Sequence, residues 1–248
     1  MQQLLEILFI SLVAGLATGI GGLIVLIRKP GRRTFGFLMG FTGGLMISLS
    51  FFELVGEAWR ISGFEMATAG FGLGAGFMFL VDYLTPHIRF FEKEGNIVDS
   101  SLVRAGSLIA VGISIHNIPE GLAIGAGYMH MPEFGLMIAT AILLHNIPEG
   151  VATALPLCQG GVCRSKAFKT ALLSGLAEPL GAMIAALFLS AYAELIPLSL
   201  AFAGGVMFFI SLDELIPAAR EHGHQHYTSA GMILGAISVL ILSGVFGV

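Results

Sequence analysis

Eight stretches of about 20 mostly apolar residues follow one another along this chain, and each is long enough to cross bilayer hydrocarbon as a helix. Lipid offers no partner to a free backbone N–H or C=O, so a repeated spanning pattern of this length admits helices and little else. The spans are expected at 4–27, 34–58, 66–85, 102–128, 134–157, 168–190, 195–218 and 228–247. Only 11% of the residues are charged, too few to coat a water-facing surface, which in soluble domains is roughly a quarter charged. The 34 glycines suit closely approaching membrane helices. The fold class is therefore all-α integral membrane, one membrane domain over 1–248. No positive charge precedes the first stretch and its apolar run is long, so it reads as a span rather than a cleaved signal. A formal charge of −4 with no basic patch leaves no footprint for nucleic acid.

Basic residues set the expected orientation. Arg28, Lys29, Arg32 and Arg33 follow span one; Arg89, Lys93 and Arg104 flank the third connection; Arg164, Lys166 and Lys169 flank the fifth; Arg220 precedes the seventh. Of 12 lysines and arginines only Arg60 falls on the opposite side. The odd-numbered connections are then cytoplasmic and both termini lie outside, in a multi-pass protein of the cell's inner (plasma) membrane. Cys158 and Cys163 fall on the reducing side and are expected as free thiols.

Within this frame one phrase occurs twice. His116-Asn117-Ile118-Pro119-Glu120-Gly121 returns as His145-Asn146-Ile147-Pro148-Glu149-Gly150. Imidazole and carboxylate in hydrocarbon cost several kcal/mol apiece unless something pairs with them. Helical spacing sets His116 beside Glu120 and His145 beside Glu149. Two such pairs at mid-membrane describe either a divalent transition-metal site or a buried hydrogen-bond network bracing the helices. Pro119 and Pro148 are expected to kink their helices, and Glu178-Pro179 adds a carboxylate beside a third kink, as ligand or proton carrier.

The flanks repeat as well. Phe41, Gly43, Gly44, Met46, Ser50, Glu53 and Leu54 coincide with Phe202, Gly204, Gly205, Met207, Ser211, Glu214 and Leu215 at an offset of 161. At an offset of 160, Gly15, Leu16 and Ala17 meet Gly175, Leu176 and Ala177. Spans one to three thus echo six to eight in opposite sense around the pair four and five, the plan of alternating-access carriers. Met46, Ser50 and Glu53 share one face of span two. Glu53 and the Asp213–Glu214 pair are pathway gates or groups that reach the headgroups. His222, His224 and His226 alternate in the last cytoplasmic connection as a weak metal-binding tract.

The paired phrases, Glu178 in span six and the eight-span layout with both ends outside resemble the ZIP (Zrt/Irt-like) divalent-metal transporters, most of all their bacterial branch. The resemblance implies uptake of zinc, and of iron, manganese, cobalt or cadmium, as transported substrate into the cytoplasm. It implies a first metal site of Met46, His116, Glu120, His145 and Glu149. A second comprises Asn117, Glu120, Asn146, Glu149 and Glu178, bridged by Glu120 and Glu149. It further implies a homodimer in the lipid bilayer, and movement of spans one, four, five and six against the rest. Some relatives carry an acidic residue or glutamine where Asn146 and His145 stand, so the second site should be weaker here and the first gains a nitrogen. Two other classes compete: an intramembrane zinc-dependent hydrolase, and a proton-coupled carrier of organic substrates. The first lacks an H-E-x-x-H and any reason for an inverted copy.

Overall fold

A computed structural model of the chain describes residues 2–84 and 100–248. Among them eight helices are long and apolar enough to span a membrane, and no strand occurs. These are α1 (Gln2–Ile27), α2 (Arg32–Ser62), α3 (Phe64–Leu84), α4 (Ser100–His130), α5 (Pro132–Gln159), α6 (Arg164–Leu189), α7 (Ala193–His222) and α8 (Gln225–Phe246). The loop expected around 86–101, with Arg89 and Lys93, falls mostly outside the described residues, as does the Arg104 side chain.

Close glycine contacts tie the helices in pairs, and the pairs obey the offsets read from the sequence. A Cβ on Gly44 of α2 would strike the Met232 carbonyl of α8, and one on Gly205 of α7 would strike that of Phe71 in α3. Replacing each residue by its mate at the offset of 161 turns one contact into the other. Likewise Gly235 abuts the Phe41 carbonyl as Gly74 abuts that of Phe202. On the other side of the molecule Gly21 of α1 meets Ile147 of α5, and Gly181 of α6 meets Ile118 of α4. Here the offset is 160 between α1 and α6, and 29 between the two central helices. The inverted repeat is thus a real pseudo-twofold of packing: α2·α8 and α3·α7 are one related set, α1·α5 and α4·α6 the other. Central α5 is the most enclosed span, whereas α3 and α8 turn most of their surface outward.

Two local features depart from plain α-helix. Span six was expected over 168–190 with a kink at Glu178-Pro179; it splits there into Arg164–Gly175 and Glu178–Leu189. Pro179 has no N–H to donate and its ring crowds the carbonyl of Gly175, so the first half must stop there. Glu178 therefore opens a helix instead of sitting within one. By contrast α4 and α5 continue through Pro119 and Pro148. Within α2 and α7, residues Leu49–Val55 and Ser211–Leu215 wind as π-helix at equivalent places. The Ser50 hydroxyl donates to the Met46 carbonyl at 2.7 Å, and the Ser211 hydroxyl to that of Met207 at 2.8 Å. Serine bonding back onto its own turn competes with the helical ladder and helps bend it.

Candidate metal centre

Antiparallel packing of α4 on α5 crosses the two repeated phrases. His145 Nε2 lies 3.0 Å from Glu120 Oε1 in hydrogen-bond geometry, and His116 Nε2 lies 3.4 Å from Glu149 Oε1, at ion-pair distance only. Each imidazole thus faces the carboxylate of the other copy. His145 also comes within 3.9 Å of Glu149, its own i+4 neighbour. All four side chains are essentially excluded from solvent.

Ligand atoms of His116, Glu120 and Glu149 lie within 4.8 Å of one another. A tetrahedral cation held at about 2.1 Å from each donor sets neighbouring donors about 3.4 Å apart, so closure by about 1.4 Å at most would bring these three into one shell.

The amides are anchored by the repeat itself. Asn146 Nδ2 donates to the Ala14 carbonyl at 2.9 Å, and Asn117 Nδ2 donates to the Ser174 carbonyl at 2.9 Å. Ala14 and Ser174 are related by the offset of 160. Asn146 Nδ2 also donates to Glu178 Oε2 at 2.7 Å, and these donations leave the Oδ1 atom of each asparagine without a partner. The symmetry breaks at one position: where α6 carries Glu178, α1 carries Thr18, whose buried hydroxyl has no partner.

Unpartnered buried atoms gather here to an unusual degree. They include His116 Nδ1 and Nε2, Glu120 Oε2, His145 Nδ1, both Glu149 oxygens, Glu178 Oε1 and the two asparagine oxygens. Native structures leave few buried polar atoms unpaired. These are all oxygens or imidazole nitrogens, and a single class of partner, a cation, satisfies oxygen and nitrogen lone pairs together.

The remaining expected residues occupy varied surroundings. Met46 is fully buried among the apolar core residues of α2. Ser50 bonds to its own helix, as described. Glu53 borders a cavity of about 530 Å³ together with Glu57, Arg60 and Ser243, at the end of α2 away from the basic connections. Glu214, its mate at the offset of 161, is half-buried, its carboxylate over Gly112 of α4; Asp213 is exposed. His222 lines a second cavity of about 530 Å³ beside Arg32 and Glu221. His224 and His226 face a different space, next to Arg32, Arg33 and Arg220, so the three imidazoles do not converge. Cys158 is buried and Cys163 exposed, and neither forms a disulfide.

Sequence reasoning passed over Thr18, although the offset of 160 matches it to Glu178. Nor does the sequence single out His130. His130 closes α4, and its Nε2 lies 2.6 Å from Glu57 Oε1, while Glu57 pairs bidentately with Arg60. No pattern in the sequence announces that cluster, because its members come from helices far apart in the chain.

Comparison with known proteins agrees with this layout. The family described as ZIP Zinc transporter matches residues 92–243. A zinc transporter ZupT of Akkermansia muciniphila is 40% identical, over 97% of this chain and 97% of its own length. Proteins of the same description from Chlorobium limicola and Corynebacterium efficiens are 39% and 41% identical, covering 95% and 94% of this chain and 97% and 94% of theirs. With the motifs, the helix plan and near full-length similarity in accord, the chain belongs to the ZIP zinc transporter family.

Proposed function

We propose that this protein imports zinc into the cytoplasm by alternating access through the crossed His/Glu cluster of α4 and α5. Divalent-metal transport rests on the family and on the buried His116, Glu120 and Glu149 group. The observation that carries the mechanism is the set of unpartnered oxygens and nitrogens at the centre of an inverted repeat. Proposed ligands are Met46, His116, Glu120, His145 and Glu149 for one ion, and Asn117, Glu120, Asn146, Glu149 and Glu178 for a second. Imidazole with carboxylate also suits iron, manganese, cobalt and cadmium, which are proposed as secondary cargo.

The outward route begins at the cavity beside Glu53, and the inward route ends at the cavity lined by Glu221 and His222. Glu53 and Glu214 occupy equivalent π-helical positions toward opposite ends, and they serve as the two gates. At the centre the cation exchanges water for fixed nitrogen and oxygen donors, so buried carboxylate charge is balanced while the ion is held. In this reading α1, α4, α5 and α6, which pack as one set, shift against the set of α2, α3, α7 and α8.

Orientation with both termini outside is supported by three contacts at a single end of the molecule. Lys29 reaches the Cys158 carbonyl, Arg164 that of Leu26 and Arg32 that of Gly223. All belong to odd-numbered connections. The homodimer belongs to the same proposal, on the family resemblance. A hydrolase reading finds no base separate from the ligand set, and the family consists of transporters rather than enzymes.

The test is zinc uptake into proteoliposomes. His116→Ala, His145→Ala and Glu149→Ala should each abolish saturable uptake while the purified protein keeps its helical content. Undiminished uptake in all three overturns the assignment.

A further inference from the structure

The cytoplasmic ends of α2, α7 and α8 enclose a space of about 680 Å³ lined by Arg32, Arg33, Arg220, His224 and His226. Among the described residues no carboxylate lines it. Glu221, the nearest acid in sequence, borders the neighbouring cavity and lies 4.0 Å from His222.

Contacts orient three of these five groups. Arg33 lies over the Tyr227 ring at 5.7 Å, Arg32 donates to the Gly223 carbonyl, and His224 meets Tyr227 edge-on. Two helices begin at the pocket: α2 after Gly31 and α8 after His224, neither with a side chain capping its first-turn N–H groups. Fixed guanidinium forks beside uncapped helix N-termini complement phosphate oxygens and repel a divalent cation.

We infer that this pocket binds the phosphate of an anionic phospholipid in the cytoplasmic leaflet. The pocket's place at the head of an outward-facing apolar helix favours a lipid over a soluble phosphate. From Tyr227 onward α8 exposes Ile233, Leu234, Ile237, Leu240 and Ile241. At 1.5 Å per residue this apolar stripe reaches about 20 Å from Tyr227, deeper than half of the ~30 Å hydrocarbon. A headgroup in the pocket would lay its acyl chains along that stripe. The inference stands apart from zinc transport, since α2, α7 and α8 supply the pocket and the crossed cluster none of it.

The test is native mass spectrometry of the purified full chain titrated with phosphatidylglycerol or phosphatidylcholine in detergent. Wild-type protein should retain phosphatidylglycerol preferentially. A guanidinium bonded to a phosphate contributes at least about tenfold, so Arg33→Gln with Arg220→Gln should reduce the preference about 100-fold. A control pair on the same side, Lys166→Gln with Lys169→Gln, should leave it within about twofold. Unchanged thermal melting in detergent separates lost binding from lost fold. Equal loss in both pairs means diffuse surface charge and overturns the site. No loss in the arginine pair overturns it too. Displacement of the lipid by inorganic phosphate at matching concentration moves the site to a soluble phosphate and overturns the lipid assignment.

Discussion

The crossed pairing of His145 with Glu120 can be measured directly as a coupling energy in metal-free protein. His145 Nε2 supplies the contact to Glu120 Oε1 at 3.0 Å, while Glu120 Oε2 has no partner. Truncation to His145→Ala therefore strips Glu120 of its hydrogen bond in a fully buried position. Breaking one partner of such a pair costs about 3–5 kcal/mol. Glu120→Ala should cost a similar amount, since it strands the imidazole. The double variant removes both groups, so its loss should fall short of the two single losses added together by about 1–3 kcal/mol. The mirror pair, His116 with Glu149, stands at 3.4 Å without hydrogen-bond geometry and should couple more weakly.

Unfolding in mixed micelles by titrated detergent, with chelator present, reads both cycles. Additive single losses at His145 and Glu120, within about 0.5 kcal/mol, would refute the crossed geometry. So would stronger coupling within His116 and Glu149. Repeating the titration in zinc adds a second arm. At a hundredfold excess over its dissociation constant zinc should stabilise wild type by about 2.7 kcal/mol. His145→Ala should lose most of that increment.

Three further outcomes are expected. A Cβ on Gly150 or Gly121 would land on the carbonyl of Thr18 or Glu178, so Gly150→Ala and Gly121→Ala should each cost about 1–3 kcal/mol in the same unfolding assay, whereas Gly72→Ala, with open space beside it, should stay within about 0.5. Zinc binds deprotonated imidazole and carboxylate, so its apparent dissociation constant should rise as pH falls from 8 to 6 in a chelator-competition titration; a flat profile contradicts ligation by this cluster. A membrane-impermeant maleimide should label exposed Cys163 in inside-out vesicles only and spare buried Cys158, and labelling in right-side-out vesicles reverses the proposed orientation.

Those predictions draw unequally on sequence and structure. Fold class was legible because hydrocarbon tolerates so few backbone solutions, and the inverted repeat because glycine contacts preserve small residues at matched positions. The offset of 161 linking Gly44 to Gly205 is a packing constraint written into the sequence. Which imidazole faces which carboxylate was not legible. Spacing along one helix sets His116 beside Glu120, but antiparallel packing makes the closer contact between helices. The π-helical turns at Leu49–Val55 and Ser211–Leu215 were likewise hidden, since no proline or glycine pair marks them alike. The break in α6 had its cause in plain view at Pro179, yet Pro119 and Pro148 lie in unbroken helices. Proline alone does not decide between a break and a continuous helix; what the neighbouring helices offer the freed backbone does.

The repeat also carries its own exceptions, and they fall where the two faces of a carrier must differ. Packing contacts, amide anchors and the π-helical serines all match across the pseudo-twofold, which makes two opposed arrangements of similar energy plausible on physical grounds. Thr18 against Glu178 is a mismatch at the centre: one flank of the cluster offers a neutral hydroxyl and the other a carboxylate bound to Asn146. A cation at Asn146 and Glu178 would meet more negative charge than at Asn117 and Thr18, which supports the α6 side for the proposed second ion. The ends differ too, with Arg32, Arg33 and Arg220 at one and Glu53 with Glu57 at the other. In the proposed orientation Glu53 faces the outer mouth, where Glu57 is paired with Arg60 and His130, and the guanidinium cluster lies at the opposite end in a pocket suited to anions. Symmetry brings the two states close in energy; these few mismatched side chains make their affinities unequal, while the ion gradient sets the direction of net flow.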